Sequence, residues 1–261
     1  MEFIDTHCHL DFPEFDQDRA QILQRCRNLG VTKIICLGVR ENQWTAAENL
    51  AQENAGIYWS LGLHPWFLDT KCAREEQATL LSAASDKLRQ KKCVALGETG
   101  LDFLIELDHR YQQDIFLQHL SLASEHNKPV IVHSVKAHAE TLRCIKQFQN
   151  SRGVIHAFSG SYEQAKQFFD AGFLLGVGGL ITYARANKTR AALAKMPMDA
   201  LLLETDAPSM PLSGRQGQRN SPEYIPDIAA SLAQLRDETL ASIAAASSDN
   251  ARALFALDQL E

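Results

Sequence analysis

The sequence predicts a single-domain α/β protein of 261 residues folded as a TIM-type (β/α)8 barrel. Three observations carry this prediction. Eight short apolar or β-branched runs alternate with longer amphipathic stretches from one end of the chain to the other. A chain of this length with 45% hydrophobic residues can bury one substantial core. Polar, chemistry-bearing residues gather at the C-terminal ends of the apolar runs, where parallel barrels build their sites.

The strand candidates are, in order, FIDTH, VTKIICLG, IYWSLGLH, CVALGE, PVIVHS, GVIHAF, FLLGVGG and ALLLETD. Helical spacing fills the gaps at about residues 16–29, 43–54, 73–91, 109–127, 137–149, 161–171 and 187–196. Gly30, Gly153 and Gly172 stand where helices give way to strands, and Pro129 opens the fifth strand. After the eighth strand a loop rich in Pro, Ser, Gly and Arg, APSMPLSGRQGQRNSPEY, leads into helical sequence to the end. No low-complexity linker divides residues 1–261, so one domain is expected. An open doubly wound sheet is the architectural alternative. The first βα turn lacks the GxGxxG fingerprint that would favour a dinucleotide site in such a sheet.

A formal net charge of −6 argues against a broad basic surface that grips duplex nucleic acid by charge alone. The N-terminus MEFID has no secretory pattern, and no run of some twenty apolar residues suggests a membrane span. The six cysteines, Cys8, Cys26, Cys36, Cys72, Cys93 and Cys144, form no CxxC pair and read as reduced thiols of a cytoplasmic protein.

In the first strand, a two-residue period puts Asp5, His7 and His9 on one face and Thr6 and Cys8 on the other. Taken alone, that face could be an ordinary hydrogen-bonded polar cluster. The other strand ends change the reading: His64 closes the third, Glu98 the fourth, His133 the fifth, His156 the sixth, and Glu204 and Asp206 the eighth. Barrel closure would bring these residues to one rim. Imidazoles and carboxylates suit Zn²⁺, and carboxylates also serve Mg²⁺ and Mn²⁺. The set exceeds what one tetrahedral ion needs, so two divalent ions are expected. His109, His119, His126 and His138 fall in helical stretches, where packing or solvated roles fit better.

The segments DTHCHLD, GLHP, GETGLDF, VIVHS, HAFSG and LLLETDAP, followed by RNSP, resemble the TatD family of metal-dependent deoxyribonucleases, from residue 5 to about residue 226. The resemblance implies that His7, His9 and Asp206 bind one ion, His133 and His156 the second, and that Glu98 bridges them. It implies catalytic roles for Asp206 and Glu98, and contact of His64 with phosphate or substrate. Glu204 is expected to reach the same pocket as a substrate contact, with Asp5 supporting the strand from behind. The resemblance further implies DNA as substrate, cleaved exonucleolytically; an acidic chain with a narrow metal pocket favours single strands or strand ends over tight duplex binding, and no membrane partner is expected. A monomer is compatible with these features. One departure stands out. Where the family commonly carries Arg two residues after the fifth-strand His, this chain has Val135, and Lys136 cannot supply a bidentate fork. Arg185 and Arg219, with Lys188, Arg190 and Arg215, are candidates to compensate; ordinary surface charge is the alternative. Trp66 and Phe67 could stack on a base or serve as packing residues. Two rival functions follow from the same site: an amidohydrolase-like enzyme acting on a small cyclic amide, ester or phosphotriester, and a non-catalytic metal-binding interaction protein. Many such amidohydrolases bridge their metals through a modified Lys on the fourth strand, where this chain has Glu98.

Overall fold

The structure, a computed structural model, describes residues 1–68 and 74–259, with only the backbone of residues 74–78. Its strands are β1 (Phe3–Cys8), β2 (Val31–Gly38), β3 (Ile57–Leu61), β4 (Cys93–Asp102), β5 (Val130–Val135), β6 (Gly153–Ile155), β7 (Phe173–Val177) and β8 (Leu201–Leu203). They form one parallel sheet in sequential order. The ends meet through a parallel bridge between Cys8 and Ala207, with His9 N–H donating to the Ala207 carbonyl and Asp206 N–H to that of His7. The open-sheet alternative is thereby excluded.

The helices are α1 (Arg19–Asn28), α2 (Glu41–Glu53), α3 (Arg74–Ala83), α4 (Ser85–Leu88), α5 (His109–Glu125), α6 (His138–Ile145), α7 (Tyr162–Asp170), α8 (Asn187–Lys195), α9 (Ile225–Arg236) and α10 (Leu240–Phe255). The single helix expected over 73–91 is two, and residue 73 lies outside the described residues. Several strands end earlier than their apolar runs: β6 and β8 stop at residues 155 and 203, leaving His156, Glu204 and Asp206 on the loops just beyond. Cys8, Cys26, Cys36, Cys93 and Cys144 are free and buried; Cys72 lies outside the described residues. Among the described residues, no helix is long and apolar enough to cross a membrane.

Two apolar clusters divide the core. Ile4, Ile35, Leu37, Tyr58, Ala95, Ile131, Val154 and Leu202 fill the barrel interior, with Leu254 and Phe255 of α10 in the same cluster. Phe3, Ile34, Cys36, Leu96, Val130, Val132 and Leu203 belong to the larger cluster between strands and helices. Each residue type thus follows the pleat: a strand residue is either inside the barrel or under a helix, and the interior set marks the parity that leads to the site.

Counting by twos from Tyr58, Ile131, Val154 and Leu202 arrives at His64, His133, His156, Glu204 and Asp206, all aimed inward. From Ile4 the same count would arrive at Cys8, and from Ala95 at Thr99. An extra residue in each strand prevents this. In β1, Asp5 aligns with Ile34 and Cys8 with Cys36, three residues against two. In β4, Leu96 aligns with Val130 and Thr99 with Val132, again three against two. These bulges turn His7, His9 and Glu98 into the barrel and keep Cys8 outside. They also correct the alternation expected for β1, because Asp5 aligns with helix-facing Ile34 and not with the face of His7 and His9.

The β4 bulge needs a glycine. Gly97 has φ +125°, and a Cβ there would fall on the Ile131 carbonyl oxygen of β5. Gly97→Ala is therefore expected to destabilise the chain by about 2 kcal/mol or more. Urea unfolding of the variant beside the wild type measures this, and an unchanged midpoint would show that the bulge tolerates a side chain.

Candidate metal centre

Glu98, 2% exposed, is the hub. Its Oε2 lies 3.1 Å from His7 Nε2 and 3.6 Å from His9 Nε2. Its Oε1 lies 3.1 Å from His133 Nδ1, 3.2 Å from His156 Nε2 and 3.3 Å from His64 Nε2. One carboxylate thus presents a separate oxygen to each of two imidazole groups. Asp206 joins the first group, with Oδ1 3.5 Å from His7 Nε2 and 3.3 Å from His9 Nε2. Its backbone is left-handed, at φ +58°, which Asp tolerates better than most residues and which recurs at functional positions.

The donor set fits divalent cations. His7 Nε2 and His9 Nε2 face each other at 3.3 Å, an arrangement that two lone pairs can share only around a proton or a cation. Burial opposes the charge of Glu98, but the imidazoles of His64, His156 and His7 outweigh it and hold the carboxyl well below its ordinary range. Burial likewise opposes a charged His156, yet Glu98 and Glu204 raise it to about 10. Three groups of three residues each converge closely enough to share an ion: His7, His156 and Asp206; His7, His9 and Glu98; His64, Glu98 and His133.

His64 differs from the other imidazoles. Its Nδ1 accepts the Trp66 backbone N–H at 3.1 Å, so in the neutral ring Nε2 carries the proton. That nitrogen is a donor toward Glu98 and has no lone pair for a metal, so of the third group only Glu98 and His133 remain as ligands. The preceding residue is tethered from outside the barrel: Leu63 N–H donates to His119 Nε2 at 3.0 Å, while His119 Nδ1–H donates to the Ile115 carbonyl at 2.8 Å. Burial pushes His119 down to about 4, against the pull of the Ile115 bond. The folded chain therefore binds fewer protons at this site than the unfolded one between about pH 6.5 and pH 4. Stability present above pH 6.5 is lost as pH falls through that window, by up to about 3 kcal/mol. Denaturant midpoints across the window should fall more steeply for the wild type than for His119→Gln, and parallel curves would refute this.

The remaining predicted residues are placed as follows. Glu204 is fully buried behind His156: its Oε1 accepts the Ala157 N–H at 2.5 Å and lies 3.3 Å from His156 Nδ1. It occupies the space a side chain at Gly176 would need. The expected substrate contact is corrected to a role behind the imidazole, because no part of this side chain reaches the surface. Arg219 is likewise corrected. Its fork is spent on Asp18 at 2.6 and 3.0 Å, one nitrogen also bonds the Glu14 carbonyl, and the guanidinium lies over Phe15. Arg190 is held by the Ile181 carbonyl and Arg215 by Tyr224, whereas Arg185 is exposed over the Tyr183 ring and Lys188 and Lys136 are exposed. Asp5 accepts from Thr205 Oγ1 at 2.6 Å, Thr205 N at 3.0 Å and His7 N at 3.2 Å, pinning β1 to the loop after β8. Burial raises it to about 8 despite those bonds.

Two residues had escaped the sequence reading. Asp102, four residues beyond Glu98, accepts from His133 Nε2 at 3.0 Å and from Trp66 Nε1 at 2.8 Å. Continuing the fourth strand past Glu98 would have found it, since residues four apart share a face. Arg40, after β2, lies 4.9 Å over the Phe67 ring; no motif marks it.

The family model described as TatD related DNase matches residues 4–256. The chain belongs to this family. Among its relatives, an uncharacterized metal-dependent hydrolase of Escherichia coli K12, YjjV, is 43% identical over 97% of both chains. The crystal structure of YjjV, a TatD homologue, superposes with a TM-score of 0.87 over 97% of each chain. A Pantoea vagans protein named 3'-5' ssDNA/RNA exonuclease TatD is 32% identical, covering 97% of this chain and 99% of its own. This member of the TatD family is accordingly a metal-dependent hydrolase on a (β/α)8 barrel.

Proposed function

We propose that this chain is a two-metal phosphodiesterase that hydrolyses DNA at single strands or strand ends. The observation that carries this reading is the division of Glu98: one oxygen toward His7 and His9, the other toward His133 and His156. His7, His9 and Asp206 would hold one ion and His133 and His156 the other, with Glu98 between them. Bound divalent ions supply an easily deprotonated water and stabilise charge on the attacking and leaving oxygens. Asp206 is the proton acceptor, since its side chain is 15% exposed against 3% for Glu98 and can meet both water and substrate. His64 Nε2–H donates to a non-bridging phosphate oxygen. With Val135 in place of Arg, the exposed Lys136, Arg185 and Lys188 supply the remaining positive charge at the rim.

The exonuclease name of the Pantoea vagans relative supports a nucleic-acid substrate. The test is incubation of purified protein with Mg²⁺, Mn²⁺ or Zn²⁺ and oligodeoxynucleotides labelled at either end, single-stranded and blunt duplex. Faster loss of the single strand is expected. Turnover of a small cyclic amide, ester or phosphotriester without any DNA cleavage would overturn the reading in favour of an amidohydrolase-like enzyme. Metal uptake with no turnover of either class would favour a non-catalytic binding protein.

A further inference from the structure

Three of the exposed large apolar side chains follow two neighbouring strands: Trp66 and Phe67 after β3, and Leu104 after β4, exposed by 63%, 38% and 69%. An exposed tryptophan normally swings freely, but this one is tied at two points. Its backbone N–H caps His64 Nδ1, and its indole N–H donates to Asp102 Oδ2. The same oxygen takes His133 Nε2–H, while Asp102 Oδ1 accepts the Leu104 N–H at 2.9 Å. Asp102 is itself clamped: buried Gln112 accepts its N–H at 2.7 Å and donates to its carbonyl at 2.9 Å. The Trp66 and His64 ring centroids are 5.7 Å apart, edge to face. Arg40 adds positive charge against Phe67.

We infer that Trp66 is a stacking platform for an unpaired nucleobase, and that Asp102 is the positioning residue that fixes this platform and the metal-facing nitrogen of His133 to one carboxylate. The inference rests on the phosphodiesterase reading. A nucleobase is the occupant that fits: a flat ring covers the indole face while its own phosphates meet Arg40 on one side and the His64 donor on the other. Bases inside a duplex have both faces already covered, so the platform selects single strands and frayed ends. With Nε2–H given to Asp102, His133 is left with Nδ1 as its only lone pair, aimed at the Glu98 side. A base seated on Trp66 is therefore held in register with the metal centre through side chains that share one anchor.

Binding is read with the chelator-treated 261-residue chain, so that no cleavage intervenes, using a ten-residue thymidylate strand and a second strand of the same length lacking its terminal base. Trp44 and Trp59 are buried, so acrylamide quenching of indole emission reports Trp66. The thymidylate should shield that emission, and Trp66→Ala should weaken its binding roughly 5- to 150-fold. Trp66→Phe, which keeps a ring, should lose less, and the strand without its terminal base should show no difference between wild type and Trp66→Ala. Asp102→Asn should weaken Mn²⁺ binding in calorimetry about 10- to 100-fold and leave Trp66 more open to acrylamide. Equal thymidylate binding by wild type and Trp66→Ala, in a protein that does cut DNA, overturns the platform. Wild-type Mn²⁺ affinity and unchanged quenching in Asp102→Asn overturn the shared anchor. A wild type that cuts no phosphodiester at all overturns the phosphodiesterase reading, a result distinct from either.

Discussion

Glu98→Gln is expected to lower phosphodiester turnover by at least about a thousandfold, roughly 4 kcal/mol of transition-state stabilisation, and to reduce the number of tightly held ions. The reason is the chemistry of the two oxygens. Oε1 and Oε2 each face a different imidazole group at 3.1 to 3.6 Å. Glutamine offers one neutral oxygen and an NH2 that can only donate, so one of the two groups loses its anionic partner. The chelated variant also loses the ion pairs that hold Glu98 low and His156 high, so it should unfold below the chelated wild type, and each chelated protein is the reference for its own metal-induced shift. What should change is linkage: Mn²⁺ raises the melting temperature of the wild type by binding the folded state, and raises that of Glu98→Gln much less. Metal content by mass spectrometry, melting with and without Mn²⁺, and single-strand cleavage together decide the matter. Cleavage within tenfold of wild type would remove Glu98 from the centre of the mechanism.

The sequence carried the barrel and the convergence of its strand ends, and the physics shows why the rest lay hidden. β/α alternation is a local pattern, so the eight runs were legible one by one. Inward parity was legible where a strand is regular, as from Ile131 to His133 or Leu202 to Asp206. It failed in β1, where the count assumed unbroken alternation and grouped Asp5 with His7 and His9. A bulge is one extra residue relative to a neighbouring strand, and that neighbour is not visible in a single segment. Arg219 failed for a related reason: its partner Asp18 is 201 positions away and meets it only after the barrel closes. Glu204 had the right parity but the wrong depth, since Gly176 opens the space that lets it sink behind His156. Asp102 sat inside the GETGLDF segment, unread because the fourth strand was ended at Glu98. Parity tells which way a side chain points; only packing tells whether substrate can reach it.

Asp206 offers a sharper test than simple deletion, because its backbone and its carboxylate make separate contributions. At φ +58° it occupies the left-handed region, where Asn is tolerated about as well as Asp and Ala is not. Asp206→Asn should therefore keep the wild-type stability, whereas Asp206→Ala should lose about 1 kcal/mol in urea unfolding. Both should lose catalysis together. Asn keeps an oxygen that can face His7 and His9, so at least part of the metal affinity survives, yet an amide cannot accept a proton from water at neutral pH. The expected result is a fall in kcat of about a thousandfold in both variants, with substrate KM nearly unchanged in Asp206→Asn. Were Asn to retain activity within tenfold while Ala did not, Asp206 would act only by holding an ion and its backbone bend, and the proton would have to go elsewhere. Glu98 is too enclosed to take it directly and Glu204 is sealed behind His156.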